Sequence, residues 1–165
     1  AGRRLRGSVN LRPGTHAYII GLIRPPPPSL PGGTREPAVI TFRRFRNTDP
    51  PALADVWNES HPARSSYPLR TPGLLERWVF SKPYFDPDGL VVAEDAADGN
   101  RLVGYALAGF GPNAELSALD HSQGVICSVA VRPAARRRGT GRALVAKAEE
   151  YLTARGATTL RAGPR

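Results

Sequence analysis

The 165-residue chain has no methionine and a single cysteine, Cys127. One thiol excludes an internal disulfide framework and a cysteine-built metal cluster, so no metal site is expected. Without a methionine, Ala1 reads as a position inside a longer natural protein rather than its start. Long apolar runs are missing too. The longest, Ala17 to Ile23, is far too short to span a bilayer. It follows a basic stretch, but Pro25 to Pro28 come next instead of a small-residue cleavage site, which argues against a secretory leader. A soluble cytoplasmic protein, with no membrane partner, is the expectation. Lysine is scarce as well: of 23 basic residues only Lys82 and Lys147 are lysines. An arginine bias of that kind fits genomic composition as well as it fits a polyanionic partner.

What is present suits one globular domain. Hydrophobic residues make up 41% of the chain and charged residues 22%, enough apolar material at this length for a true core. The net charge of +9 is unevenly placed. Residues 1–46 carry nine arginines against Glu36, residues 47–131 five basic against eleven acidic residues, and residues 132–165 nine basic against two acidic. Nucleic-acid binders carry a basic face through the fold, whereas here the middle is acidic. A nucleic-acid partner is therefore not expected, although the arginine blocks keep that class open as an alternative.

Residues 1–37, with "RPPPPSLPGGTREP", are polyproline-prone and turn-rich and read as a poorly ordered lead-in; residues 38–165 form the domain. "AVITFRRF" (38–45) is β-rich. Thr48 or Asp49 offers an N-cap, with Pro50 and Pro51 at the first helical positions and Leu53, Val56 and Trp57 on one face of a helix to about Ser60. A loop over 61–73 precedes a second helix over 74–81. Strands over 90–95 and 101–110 flank "AADGN" as a hairpin. "GVICSVAV" (124–131) is apolar on both faces, with Cys127 among the core residues, and reads as a central strand covered by helices on both sides. Leu144, Val145, Ala148, Tyr151 and Leu152 make an amphipathic helix starting near Thr140 and capped by Gly156, and "ATTLRAG" is a further strand. The order β-α-α-β-β-β-α-β is mixed α/β.

Between the central strand and that helix lies "RPAARRRGTGRAL" (132–144). A first helical turn presents unpaired N–H groups backed by the positive end of the helix dipole, which suits a phosphate. Gly139 and Gly141 admit close backbone approach and dihedrals closed to other residues. The arginines at 136, 137, 138 and 142 add attraction for negative charge. Neither a Walker loop nor a dinucleotide fingerprint fits: Arg142 follows Gly141, and Leu144 stands where a third small residue is needed. A phosphate or diphosphate clamp of another kind is left.

In this context "VAVRPAARRRGTGRALVAKAEEYL" resembles the acyl-CoA-binding motif of the GNAT superfamily of N-acyltransferases, with Arg136, Gly139 and Gly141 at its defining positions and Val131 and Pro133 in the lead-in. "ITFRRFRNTDPPALADVWNES" and "FDPDGLVVAEDAADGNRLVGYALAGF" resemble the family's first strand and helix and its second and third strands. The resemblance covers residues 39–165 and implies a central mixed sheet flanked by helices, with the family's last helix and strands missing from this chain. It implies acetyl transfer from acetyl-CoA, as co-substrate, to a primary amine on a small molecule or peptide, by direct attack without a covalent enzyme intermediate. It places the CoA diphosphate on the amides of Arg136, Arg137, Arg138, Gly139, Thr140, Gly141 and Arg142. The pantetheine arm would lie on the backbone of Val129, Ala130 and Val131, splayed from the next strand after Leu160, and the thioester near Cys127 and Ser128.

Many members carry a glutamate on the strand equivalent to 124–131, and this strand has none. Asp120, His121 and Glu115 are weak candidates for the base, and the family's tyrosine acid has no counterpart here. The resemblance brings the acceptor amine over the loop from His61 to Leu69, where Tyr67 either lines the amine pocket or packs locally. Trp57 and Trp78 read as core anchors, and His61 and His16 as structural or exposed. A domain that binds acyl-CoA without transferring acyl groups is the alternative from the binding-module class. The acceptor and the oligomeric state are not written in the sequence.

Overall fold

Valine and alanine at β2 (Leu90–Asp95) leave its first four residues buried on both faces, which makes it an interior strand. It pairs antiparallel with β1 (Ile40–Arg44) on one side and β3 (Arg101–Pro112) on the other. The β2–β3 turn passes through Gly99 and Asn100, both at positive φ, the chemistry that "DGN" supplies. β3 pairs antiparallel with β4 (Leu119–Val131), and β4 pairs parallel with β5 (Thr159–Ala162), giving a five-stranded mixed sheet in the order β1-β2-β3-β4-β5. The computed structural model describes residues 39–61 and 67–163. The lead-in over 1–37 and most of the loop after His61 lie outside the described residues.

Helices cover both faces. α1 (Pro50–Ser60) buries Leu53, Ala54 and Val56 against Val92, Tyr105 and Ala130. α3 (Thr140–Ala154) buries Leu144, Ala148 and Leu152 against Val91, Ala93 and Ile126 on the opposite face. Its helical apolar stripe was legible in the sequence, as was its end, where Gly156 takes φ +101°. α1 has Pro50 and Pro51 in its first turn as expected, but Asp49 does not cap it. Its carboxylate accepts two hydrogen bonds from Arg43 (2.7 and 2.8 Å) and one from the Arg46 amide (2.7 Å) instead, and Arg43 also bonds Glu94 of β2. Those carboxylates hold the guanidinium far above its ordinary range.

Four expectations need correction. The helix expected over 74–81 is one short α-turn, α2 (Gly73–Leu75), widening into a π-helical turn over Glu76–Phe80. Trp78 there is half exposed, at 51%, and is no core anchor; Phe45, Phe80 and Phe85 form the aromatic contact at that place. β4 begins five residues earlier than the apolar run implied, because "LDHSQ" pairs as polar edge strand. Cys127 is exposed, not core. The β3–β4 register passes from Leu107 opposite Ser128 to Ala108 opposite Ile126, so Cys127 is the extra residue of a β-bulge. The bulge resets the in–out alternation: Ile126, Val129 and Val131 all pack toward α3, while Ala130 packs toward α1. No helix among the described residues is long and apolar enough to cross a membrane.

Candidate functional site

The site is built where two strands part. β4 and β5 pair from Gln123 opposite Thr159 to Ile126 opposite Ala162, and a last bond runs from the Gly163 amide to the Ile126 carbonyl (3.0 Å). Past Ile126, no described residue of β5 pairs with β4. The bulge at Cys127 falls at that fork and adds twist to the strand. A cleft of about 590 Å³ opens there, walled by Val129 and Val131 of β4, Val145 of α3 and Leu160 of β5. Gly141 stands at its α3 end, and Ser60 and His61 close it from α1.

A phosphate-binding geometry meets the cleft at the start of α3. Among the described residues, no acceptor takes the amides of Arg137, Arg138, Gly139, Thr140, Gly141 or Arg142; the first helical bond there is Ala143 N–H to Gly139 C=O (3.0 Å). Arg137 at φ +65° and Gly139 at φ +83° turn the chain into the helix. The two glycines therefore have different reasons. Gly139 needs its left-handed conformation. Gly141 does not: its φ is ordinary, and a Cβ there would meet nothing nearer than Val131 Cγ2 at 3.8 Å. Nothing among the described residues asks for glycine at 141. This corrects the reading that gave both glycines special dihedrals.

The arginines divide in the same way. Arg136, though exposed, is engaged with the protein itself, its Nε donating to the Val131 carbonyl (2.9 Å) and its Nη2 to the Ser60 carbonyl (2.8 Å). Arg138 and Arg142 are exposed, leaving their charge near the cradle. Arg132, 5% exposed, donates to the Leu102 carbonyl (2.7 Å) and pairs with Glu59, tying α1 to the sheet. A smaller hollow of about 270 Å³ beside it is lined by Glu59, Asp98, Arg101 and Arg138. Arg101 lies 3.7 Å from both Glu59 and Asp98, so the charges there answer one another and leave little for a ligand.

The remaining candidates are dispersed. Asp120 accepts from the Ser122 amide (3.0 Å), Ser122 Oγ (2.5 Å) and Gln123 Nε2 (3.0 Å) at the paired end of β4. The His121 ring stacks on Phe110 with centroids 4.4 Å apart. Glu115 lies in the loop between β3 and β4. None of the three lines the cleft. Tyr67 is 82% exposed and contributes its carbonyl, which accepts from Trp57 Nε1 (2.9 Å). Cys127 is exposed as a residue, yet neighbouring atoms desolvate its sulfur and push the thiol up, which keeps it protonated and unreactive. Under the bulge, Tyr105 bonds Ser128, and burial pushes its phenol up to about 12. No group of three or more His, Cys, Asp or Glu residues able to hold a metal occurs among the described residues. Ser60, His61, Glu149 and Arg161 line the cleft, all but His61 without a linear signal; the fold brings them in from α1, α3 and β5.

Two curated relatives are called mycothiol acetyltransferase. One, from a Nocardioides species, is 31% identical over 74% of this chain and 43% of its own length. The other, from Rhodococcus jostii, is 33% identical over 73% of this chain and 38% of its own length. The chain thus spans about two fifths of these relatives. A solved GNAT acetyltransferase from Brucella melitensis, in complex with acetyl-CoA, superposes with a TM-score of 0.60 at 15% identity, covering 76% of this chain and 75% of that one. The family model described as "Acetyltransferase (GNAT) family" matches residues 51–164, a span that runs from α1 through the forked strands and the α3 cradle, and the chain belongs to that family.

Proposed function

We propose that this domain transfers an acetyl group from acetyl-CoA to a primary amine by direct attack. The fork after Ile126, opening onto six unpartnered amides at the start of α3, carries the reading. A diphosphate suits those amides and the helix dipole behind them. From there an extended pantetheine arm fits along the unpaired edge of residues 127–131, adding itself to β4 as a strand would. That edge ends at the fork, where the thioester reaches the opposite face of the sheet. Backbone N–H groups at the bulge are in place to polarise its carbonyl. The names of the two relatives support a small-molecule acceptor.

Acetyl-CoA, titrated in a thermal melt, is expected to raise Tm, because a ligand that binds only the folded state stabilises it. Gly141→Val, which puts a side chain into the cradle, is expected to abolish the shift. An unmoved Tm at saturating acetyl-CoA, with the chain demonstrably folded, would overturn the proposal.

A further inference from the structure

α1 delivers to the cleft a histidine whose tautomer the structure fixes. His61 follows the last residue of the helix, and its Nδ1 lies 3.1 Å from the Trp57 carbonyl. A carbonyl oxygen can only accept, so Nδ1 carries the hydrogen, and in the neutral ring Nε2 then holds the free lone pair. Among the described residues Nε2 has no partner. The ring is held in place by stacking on Trp57, with centroids 4.1 Å apart at 29°, and Trp57 is itself anchored through Nε1 to the Tyr67 carbonyl (2.9 Å). A base oriented by a second group, which is oriented by a third, is the arrangement that proton-transfer sites use.

Its place in the fold matters as much. α3 and the diphosphate cradle lie on one face of the sheet, and α1 covers the other. His61 lines the cleft from the α1 side, next to Ser60, whose carbonyl accepts from Arg136 at the end of β4. Beside it, Ser60 Oγ is buried without any hydrogen-bond partner. Buried polar atoms are rarely left so, and the residue that carries this one lines the same cleft. The competing groups are placed less well. Glu149 lines the cleft from α3, on the cradle's side, and Asp120 and His121 do not line it.

We propose that His61 is the general base of the transfer, a role that rests on the acetyltransferase reading above and deepens it. Nε2 takes the proton that the acceptor nitrogen loses as its lone pair forms the new C–N bond. The C–S bond breaks, the departing CoA thiolate takes a proton from solvent, and His61 returns its own to solvent. Amide and free thiol are the products, and the protons balance. The charged groups that share the cleft with the ring are Arg136, whose guanidinium bonds the Ser60 carbonyl, together with Glu149 and Arg161. On its own helix Glu59 is paired with Arg132.

The test measures CoA release from acetyl-CoA with ethanolamine, glucosamine and hydroxylamine, across pH, for the parent chain and His61→Asn. Asparagine keeps a donor for the Trp57 carbonyl but has no lone pair basic enough to take a proton. Expected are a fall in kcat of about a hundredfold or more for ethanolamine and glucosamine, an unchanged KM and thermal shift for acetyl-CoA, and a flatter pH profile of kcat. Hydroxylamine, far less basic than the two alkylamines and so a neutral nucleophile near neutral pH, is expected to lose least. An unchanged kcat and pH profile overturns the proposal while leaving acetyl transfer standing. Loss of the acetyl-CoA shift overturns it by making His61 a structural residue. No release by the parent with any of the three nucleophiles sinks the transfer reading and this one together. Nitrogen NMR of the imidazole in the parent is independent of any variant: hydrogen on Nε2 in the neutral ring overturns the proposal.

Discussion

The two halves of β4 are put to opposite uses. From Gln123 to Ile126 the strand is paired on both sides, and its glycine, Gly124, is packed tight: a Cβ there would come within 2.9–3.0 Å of Leu152 and Leu160. From Cys127 to Val131 it is paired on one side only, and the nearby glycine, Gly141, faces open cleft. One glycine is there because protein fills the space, the other because protein does not. The same residue type thus reports stability in one half and ligand approach in the other, and only the surroundings tell which.

The largest expected effect asks whether the core on the α1 face, opposite Ala130, is dry. Tyr105, 6% exposed, has its phenol raised from 10.0 to about 12. Below the unfolded value both states are protonated and the stabilisation is complete. As pH rises from about 10 to 12 the unfolded chain releases the proton and the folded one does not, so stability falls with pH, by about 2 to 3 kcal/mol across that window. Denaturant melts of the parent and of Tyr105→Phe are expected to differ in alkaline slope by that amount; equal slopes would mean that water reaches the phenol. Next comes the paired half. Gly124→Val forces Leu152 and Leu160 to move, and a loss of about 1 to 3 kcal/mol, read from the urea midpoint, is expected. The smallest effect completes the contrast. Gly141→Val, proposed above to abolish the acetyl-CoA shift, is expected to change the stability of the ligand-free chain by only about 0.5 kcal/mol. A large loss there would mean that the cradle glycine serves packing after all.

What the sequence made legible follows the same division. The strand–turn–helix unit around "RRRGTG" could be read because each of its signals is local: an apolar strand, two glycines, and a helix with a 3.6-residue stripe. The order of all eight elements was legible for that reason. The bulge was not, since an extra residue in a ladder leaves the linear pattern intact and shows only in the partner's register. The second helix misled because Leu74, Leu75, Trp78 and Val79 keep helical spacing, while the chain satisfies that stretch with a single turn and a π-helical widening. Ser60 had no signal to give, and His61 only its place at the start of the expected acceptor loop: both line a cleft whose strands lie more than sixty positions later. The Arg136 amide was read as a ligand contact from its motif position, but it bonds the Pro133 carbonyl (3.3 Å), and the guanidinium runs to protein carbonyls as well.

Those two bonds have a mechanical consequence. Arg136 spans from the end of β4 to the end of α1 like a crossbar in a frame, so the gap between sheet and helix is set during folding and does not wait for a ligand. A mouth braced in advance loses little freedom when something enters it, and less of the binding energy goes into ordering the walls. On that view the arginine tunes affinity without touching what is bound.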